Sequence, residues 1–424
     1  MSSFKKITSS QLFKVSSLNS ISVLIKIGIG LITSKILAVF LGPSGMALIG
    51  NLRNFLTTVE CISTLGFQNG IVKYITENGK KNIQFKKIFS TLFFSLLTVT
   101  LAISSALFIF SNYWNQVVFG DNLDYSHVFK VLAIALPLYA SSIYLLAIIN
   151  GLGLFKTVIY INISGNIIGF FVSLLFIWKW SILGALLAII ITPSLLFFIT
   201  LYYINKEVSI KNAIKLSLFD FKIIKELLHY FLMTLVSGIL GPIVFLAIRN
   251  QAITIVGLKE AGFWEAMTRI STYYLLFINT LLTIYYYPKL ILAKTTEETK
   301  LIFWSYYKNV LPLFALGLFI IYLFRSLMIR ILFTPDFEPV GDLFIWQLVG
   351  DFLKATSWIL GLQFFAKKMT KAFIATEILS LTILYISSVY FIGIFKIEGV
   401  IIAHAFTYGI YLLVLVIYFR KCLL

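Results

Sequence analysis

Eight ionisable residues fall in the middle of stretches that otherwise read as bilayer-spanning helices: Lys26, Arg53, Glu60, Glu265, Arg269, Asp351, Lys354 and Glu377. A charge at the centre of such a helix costs about 2.5–3.5 kcal/mol on insertion scales, so a chain that keeps eight of them predicts a polar path through its interior. The pattern points to a transporter.

Spacing sharpens this reading. Gln347, Asp351 and Lys354 stand at i, i+4 and i+7, so three polar side chains share one face of a helix whose other positions are mostly Phe, Leu, Ile, Val and Trp. Either Asp351 and Lys354 neutralise each other as interhelical glue, or the stripe lines a cavity and takes part in gating or substrate contact. A second set, Asn51, Arg53 and Asn54, has Glu60 one heptad beyond the arginine on nearly the same face. A guanidinium is always charged and offers phosphate oxygens two parallel donors, which makes Arg53 the first candidate for an anionic headgroup; a plain intramembrane ion pair with Glu60 or another acid is the alternative. Arg269 has its own possible partner in Glu265 at i−4. Lys26 can extend its amine toward the interface, and Lys35 reads as a snorkelling residue. Glu377 is a shallow acid suited either to proton coupling or to a satisfied structural role.

Other chemistry is scarce. Cys61 and Cys422 have neither disulfide nor metal spacing, and His127, His229 and His404 form no metal or hydrolase pattern. Of the histidines only His404 lies well inside a spanning run, where it reads as a packed neutral imidazole, with a proton relay as the other reading. No catalytic residue, metal ligand set or cofactor site is expected.

The elements that must position these groups are helices. The 424 residues are 59% hydrophobic and 12% charged, against about 25% charged in a soluble domain, which excludes a soluble globular protein. Apolar runs of spanning length occur at roughly 19–40, 44–66, 88–111, 128–150, 157–178, 181–204, 228–248, 258–287, 309–331, 340–365, 371–393 and 398–419. Six runs, a basic connector at 205–227 and six more predict an all-α membrane protein of two six-helix lobes, 1–204 and 228–424, related as parallel repeats. Arg53 and Arg269 echo each other, each lying in the second span of its half and about 14 Å from the membrane edge. Pro137, Pro193, Pro242 with Gly238 and Gly241, and Pro312 interrupt spans, and 238–242 is the strongest hinge candidate.

The N-terminal tail and the connections after even-numbered spans, with the C-terminal tail, carry 23 of the 35 basic residues, against seven on the opposite side. This asymmetry puts both termini and the connector in the cytoplasm, with an uncleaved N-terminal tail. It also accounts for most of the +18 net charge without a nucleic-acid partner; Lys80, Lys81, Lys86, Lys87 and the connector lysines face an anionic leaflet.

Three stretches, LGPSGMALIGNLRNF (41–55), GFQNGIVKYITE (66–77) and DLFIWQLVGDFLKA (342–355), resemble the Wzx-type polysaccharide flippases of the multidrug/oligosaccharidyl-lipid/polysaccharide exporter superfamily, in the O-antigen and lipid III branch. The resemblance runs the length of the chain. It implies a MATE-like, V-shaped fold of twelve helices around a central cavity. It implies transfer of an undecaprenyl-pyrophosphate-linked oligosaccharide from the cytoplasmic to the periplasmic leaflet of the inner membrane by alternating access, and coupling to an ion gradient. The matching positions are Asn51, Arg53, Trp346, Gln347, Asp351 and Lys354. The candidate substrate-binding set is thus Arg53, Arg269, Lys26, Lys354, Asn51, Asn54 and Gln347. Asp351, Glu60, Glu265 and Glu377 are the candidates for coupling or gating. Expected partners are the lipid-linked glycan, membrane lipids, and the polymerase and chain-length regulator of the same pathway, with a monomeric transport unit. A cation-coupled drug exporter of the same superfamily is the nearest alternative, since four of the eight deep charges are acidic. A glycosyltransferase or polymerase would need an extramembrane catalytic loop, and Asp121 and Asp124 lie in a connection of only about fifteen residues.

Overall fold

The computed structural model describes residues 11–78, 83–207, 214–225 and 234–423. The first ten residues with Lys5 and Lys6, the pair Lys80 and Lys81, the connector stretch holding Lys211, and the start of the seventh run with His229 lie outside the described residues. Among the described residues the chain is helical without strands. In chain order the helices are α1 (Gln11–Ser63), α2 (Gln68–Asn78), α3 (Ile83–Ile109), α4 (Ser111–Phe119), α5 (Ser126–Gly151) and α6 (Phe155–Glu207). They continue with α7 (Val236–Val256), α8 (Leu258–Leu292), α9 (Thr296–Leu323), α10 (Arg325–Leu332), α11 (Val340–Ala366), α12 (Thr370–Phe395) and α13 (Ile397–Tyr418). Long apolar runs take this form because in lipid every backbone N–H and C=O must be satisfied within its own segment. Nine of the described helices are long and apolar enough to cross a membrane, which makes this an integral membrane protein.

Several boundaries move from their sequence positions. The run expected at 309–331 begins earlier, at Thr296, where Thr295 and Glu298 form a capping box, and it stops at Phe324. The rest becomes the separate amphipathic helix α10, whose Arg325 and Arg330 interrupt the apolar run. The seventh run does not end at residue 248: α7 continues to Val256, so Arg249, which the expected run 228–248 leaves outside, is a helical and buried residue. Within the expected hinge, Val236–Leu240 makes a π-helical turn ahead of Pro242.

Two compact units emerge, one of 1–40 with 52–239 and the other of 41–51 with 240–424. In the first, Phe85, Ile88, Phe89 and Leu92 of α3 pack with Ile71, Tyr144, Ile148 and Ile161, and the Tyr144 hydroxyl donates to the Phe89 carbonyl at 2.7 Å. The segment 214–225 lies along α3, with Lys215 N donating to Ser90 Oγ and Asp220 N to Thr91 Oγ1. In the second unit α11, α12 and α13 form the most closely packed group, with α8 and α7 against them.

The halves share a register that the side chains conceal. Left-handed backbone recurs at Gly42 and Gly257, at Gly153 and Lys368, and at Ser181 and Lys396, each pair 215 residues apart. The turns match in detail: Leu154 N donates to Ile149 O and Met369 N to Phe364 O, again at that offset. Helices α5 and α11 end on the same register, at Gly151 and Ala366. Backbone geometry repeats where sequence has diverged, since many apolar residues fill a lipid-facing helix equally well.

Candidate functional site

The first unit carries Lys26, Arg53, Asn54 and Glu60. Lys26 and Arg53 are exposed. The Glu60 carboxylate accepts from the Tyr139 hydroxyl at 2.6 Å and from Gln68 Nε2 at 3.5 Å, so the Arg53–Glu60 pair left open above is replaced by a tyrosine clamp between α1 and α5. Asn54 is half-buried, with its amide nitrogen unbonded among the described residues.

In the second unit two charged clusters sit on helices whose neighbours are apolar. The first is a shared carboxylate. Glu265 and Arg269 lie one turn apart on α8, and Glu265 Oε1 accepts from Arg269 Nε at 3.2 Å. Its other oxygen accepts from Arg249 Nη2 on α7 at 2.9 Å, and the Arg249 guanidinium lies 4.8 Å over the Trp264 ring. All three residues are nearly excluded from solvent, at 2%, 4% and 4% exposure for Arg249, Glu265 and Arg269. Two guanidinium groups therefore face one carboxylate, and Arg249 Nε and Nη1 and Arg269 Nη2 are buried donors with no acceptor among the described residues. Buried donors of this kind cost free energy unless something accepts from them, so the cluster has standing capacity for an anion. Gly50 makes the arrangement possible: a Cβ there would collide with Arg249 and Glu265. Beside it Asn51 donates its amide to Asn250 Oδ1 at 2.9 Å.

The second cluster is centred on Asp351 of α11, whose side chain is fully buried. Its Oδ2 accepts from Ser271 Oγ and from the Tyr274 hydroxyl, each at 2.5 Å, and from Gln347 Nε2 at 3.1 Å. Its Oδ1 lies 3.0 Å from His404 Nε2 on α13. The expected neutralising pair of Asp351 with Lys354 does not form among the described residues. The two side chains share a helix face, but Ser271 and Tyr274 of α8 and His404 of α13 lie nearer and occupy both oxygens of the carboxylate. The half-buried Lys354 instead holds its ammonium 5.2 Å from the Tyr408 ring and 5.5 Å from the Trp358 ring, with Tyr408, Asp351 and, more weakly, Glu377 of α12 acting on it electrostatically. His404 is thus no isolated packed imidazole. It stacks edge-on against Tyr408, and Gly350 lacks the Cβ that would collide with its ring. Ser271, Gln347, Lys354 and His404 line one cavity of about 80 Å³, enough for several waters at about 10–15 Å³ each and far too small for a sugar.

The sequence reading found Arg269, Glu265, Gln347, Asp351 and Lys354 but missed Arg249, Ser271, Tyr274 and Tyr139. Arg249 had a signal, since the apolar run continues through Ala252 and Ile255 beyond it. Hydroxyls of Ser and Tyr are too common in membrane helices to stand out. The repeat register supplies a further test: 215 residues before Asp351, His404, Gln347 and Glu265 stand Leu136, Ile189, Leu132 and Gly50. The first half folds with apolar residues or glycine at those places, so the charges are not required to build such a half.

Comparison with known proteins agrees with this architecture. The sequence profile of the family described as Polysaccharide biosynthesis protein matches residues 12–293. Over 408 residues the chain is 28% identical to the lipid III flippases of Escherichia coli (strain K12) and Shigella flexneri, covering 94% of this chain and 96% of those. Among solved structures, the inward-facing conformation of a multidrug resistance MATE family transporter of the MOP superfamily aligns with a TM-score of 0.78 at 14% identity, covering 94% of both chains. The lipid II flippase MurJ in an inward closed conformation aligns with a TM-score of 0.73 at 14% identity, covering 96% of this chain and 87% of that one. With an all-helical membrane fold like that of these transporters, and a profile match over most of its length, the chain belongs to the polysaccharide biosynthesis protein family.

Proposed function

We infer that the protein is a flippase, a transporter rather than an enzyme, that moves an undecaprenyl-pyrophosphate-linked oligosaccharide from the cytoplasmic to the periplasmic leaflet of the inner membrane by alternating access. The observation that carries this reading is the buried Arg249–Glu265–Arg269 cluster, which holds two guanidinium groups on one carboxylate and keeps three donors without an acceptor among the described residues. A diphosphate carries the oxygens such donors lack, and guanidinium forks match it bidentately. The relatives named lipid III flippases support the same substrate class. A drug exporter for cationic substrates is less well served, because the buried surplus of charge in this cluster is positive.

The proposal includes twelve spans in two six-helix lobes, 1–204 and 228–424, joined by the basic connector 205–227, with both termini cytoplasmic. It is supported by the break at Gly42 within α1 and that at Ser181 within α6, each dividing one long helix into two of spanning length, and by α11, which adds a span whose charges keep it out of the apolar nine. Arg249 and Arg269 are assigned to the diphosphate, with Asn51 and Gln347 as polar neighbours on the path. Lys26, Arg53 and Asn54 are assigned to the substrate path of the first half, and Lys354, Asp351, Glu60, Glu265 and Glu377 to gating or coupling. The transport unit is a monomer, working with the polymerase and chain-length regulator of its pathway.

Complementation of a flippase-deficient strain, scored with several defined lipid-linked glycans, tests the assignment. Restored surface polysaccharide is expected from the wild type and none from Arg53→Ala or Arg269→Ala at equal membrane abundance. Unchanged display by both variants would remove the headgroup roles.

A further inference from the structure

The connector between the expected lobes is built onto the first unit in a way that a free loop has no need for. Ile223 is 2% exposed and belongs to the same buried cluster as Phe85 and Ile204, with Ile214 and Ile224 packed against it. Lys215 N and Asp220 N donate to the hydroxyls of Ser90 and Thr91 at 3.1 and 2.9 Å, so the backbone is held on both sides of the 3-10 turn Leu216–Leu218. The opposite face of the segment is apolar as well. Leu216 is 70% and Phe221 77% exposed, and the Phe219 and Phe221 rings meet edge to face at 4.9 Å.

The level of this face along α3 decides what covers it. The apolar run of α3 begins near residue 88, directly after Lys86 and Lys87. Ser90 and Thr91 lie two and three residues inside that run, about 3–5 Å at 1.5 Å per residue. Their bonds therefore place Lys215 to Asp220 where hydrocarbon gives way to headgroups. An amphipathic segment lying in the membrane plane buries its apolar side at that depth.

The charge around the segment is positive. Phe85, Ile204 and Ile223 share one cluster, so the lysines close to them in the chain, Lys86, Lys206 and Lys222, gather at one end of the unit. All three are exposed, as are Lys215 and Lys225. Lys206 holds its ammonium 4.3 Å over the exposed Tyr202 ring, and tyrosine is the residue type that belts a membrane interface. Asp220 has other work: its carboxylate accepts from the Lys222 backbone N–H at 2.9 Å and lies 3.9 Å from Lys87 Nζ.

We propose that residues 214–225 form a binding site for an anionic phospholipid of the adjoining leaflet. Leu216 and Phe221 enter the acyl boundary, and Lys215, Lys222 and Lys225 hold the headgroup phosphate. The stretch that joins the halves is then an in-plane anchor, fixed to α3 on one side and to the leaflet on the other, and not a loop in water. Such a site needs no transport step and stands apart from the flippase reading.

Two measurements on the full chain test it. For depth, a nitroxide is placed by Phe221→Cys in a Cys61→Ser, Cys422→Ser background, in nanodiscs containing phosphatidylglycerol. Its collisions with oxygen are expected to exceed those with a water-soluble nickel chelate, while a label at Glu297→Cys, on the exposed start of α9, gives the reverse. Nickel-dominated collisions at 221 put the segment in water and overturn the proposal. Protection from both reagents, with dipolar broadening between labels, also overturns it and gives the face to a second copy of the chain. For charge, the purified protein is titrated with phosphatidylglycerol or phosphatidylethanolamine in detergent and the bound lipid counted by native mass spectrometry. The wild type should retain phosphatidylglycerol at the lower concentration. Glutamine at 215, 222 and 225 should weaken that retention about fivefold for each charge removed, and arginine at the same positions should preserve it. Equal retention of the two lipids, or no loss in the glutamine variants, overturns the headgroup site. Should the labelled background fail to fold, the lipid titration, which leaves both cysteines in place, decides alone.

Discussion

Arg249 and Arg269, from two different helices, hold opposite oxygens of one carboxylate, that of Glu265, at 2.9 and 3.2 Å. The glutamate is therefore a hub, and its removal differs from the removal of either spoke. Glu265→Gln leaves two buried guanidinium groups facing each other and is expected to lower the stability of the second unit by about 3–5 kcal/mol, the cost of stranding a buried charge. Arg249→Ala leaves the Glu265–Arg269 pair intact and should cost less. Thermal unfolding of the purified variants in detergent checks the order, and an equal or inverted loss would contradict the shared-carboxylate arrangement.

Asp351 and Lys354 stand within one turn and act on each other electrostatically, yet among the described residues they make no direct ion pair, the carboxylate being held by His404, Ser271, Tyr274 and Gln347. Exchanging them, as Asp351→Lys with Lys354→Asp, places an ammonium among Ser271, Tyr274, Gln347 and His404, four groups that now donate to a carboxylate. The double exchange is expected to be no more active than either single variant, read by blotting of surface polysaccharide. Recovery of activity would mean that the two act as a simple neutral pair.

Gly350→Ala should damage the protein although it adds a single methyl. Its Cβ would meet the His404 ring and the backbone of Ala405, at 3.1 Å for the Ala405 Cα and nitrogen. Overpacking of that kind costs about 1–3 kcal/mol. The measurement is melting temperature; a neutral result would show that α11 and α13 can separate freely.

Asp124 offers a pH-dependent contribution outside the spans. Its carboxylate accepts from the Ser126 backbone N–H at 3.0 Å, at the start of α5, and this bond holds its pKa below the usual aspartate range. A lowered folded-state pKa means that the stabilisation is present at neutral pH and is lost as pH falls through the folded value. The difference in melting temperature between wild type and Asp124→Ala should thus be visible at pH 7 and vanish in strong acid. A difference that grows on acidification would refute the bond.

Most of the membrane architecture was readable from composition and run length, because a helix that crosses lipid must be apolar over its whole length whatever it packs against. The spacing of Gln347, Asp351 and Lys354 likewise announced a polar helix face. Other features were hidden for a physical reason. Arg249 lay beyond a boundary drawn by hydropathy, and a buried arginine looks like a loop arginine until its carboxylate is found 16 residues away. The repeat was invisible in side chains and plain in backbone, in the left-handed turns at Gly153 and Lys368.

From the amino-acid order came the class of protein, its membrane residence and the identity of several of its interior charges, since hydropathy and helical period are properties of neighbouring residues. Which charges meet was settled by packing. Asp351 could have faced Lys354, lipid or water, and it bonds His404, 53 residues on, because α11 and α13 lie close enough at Gly350 to bring the two together. A partner chosen across helices depends on distances that no local pattern encodes.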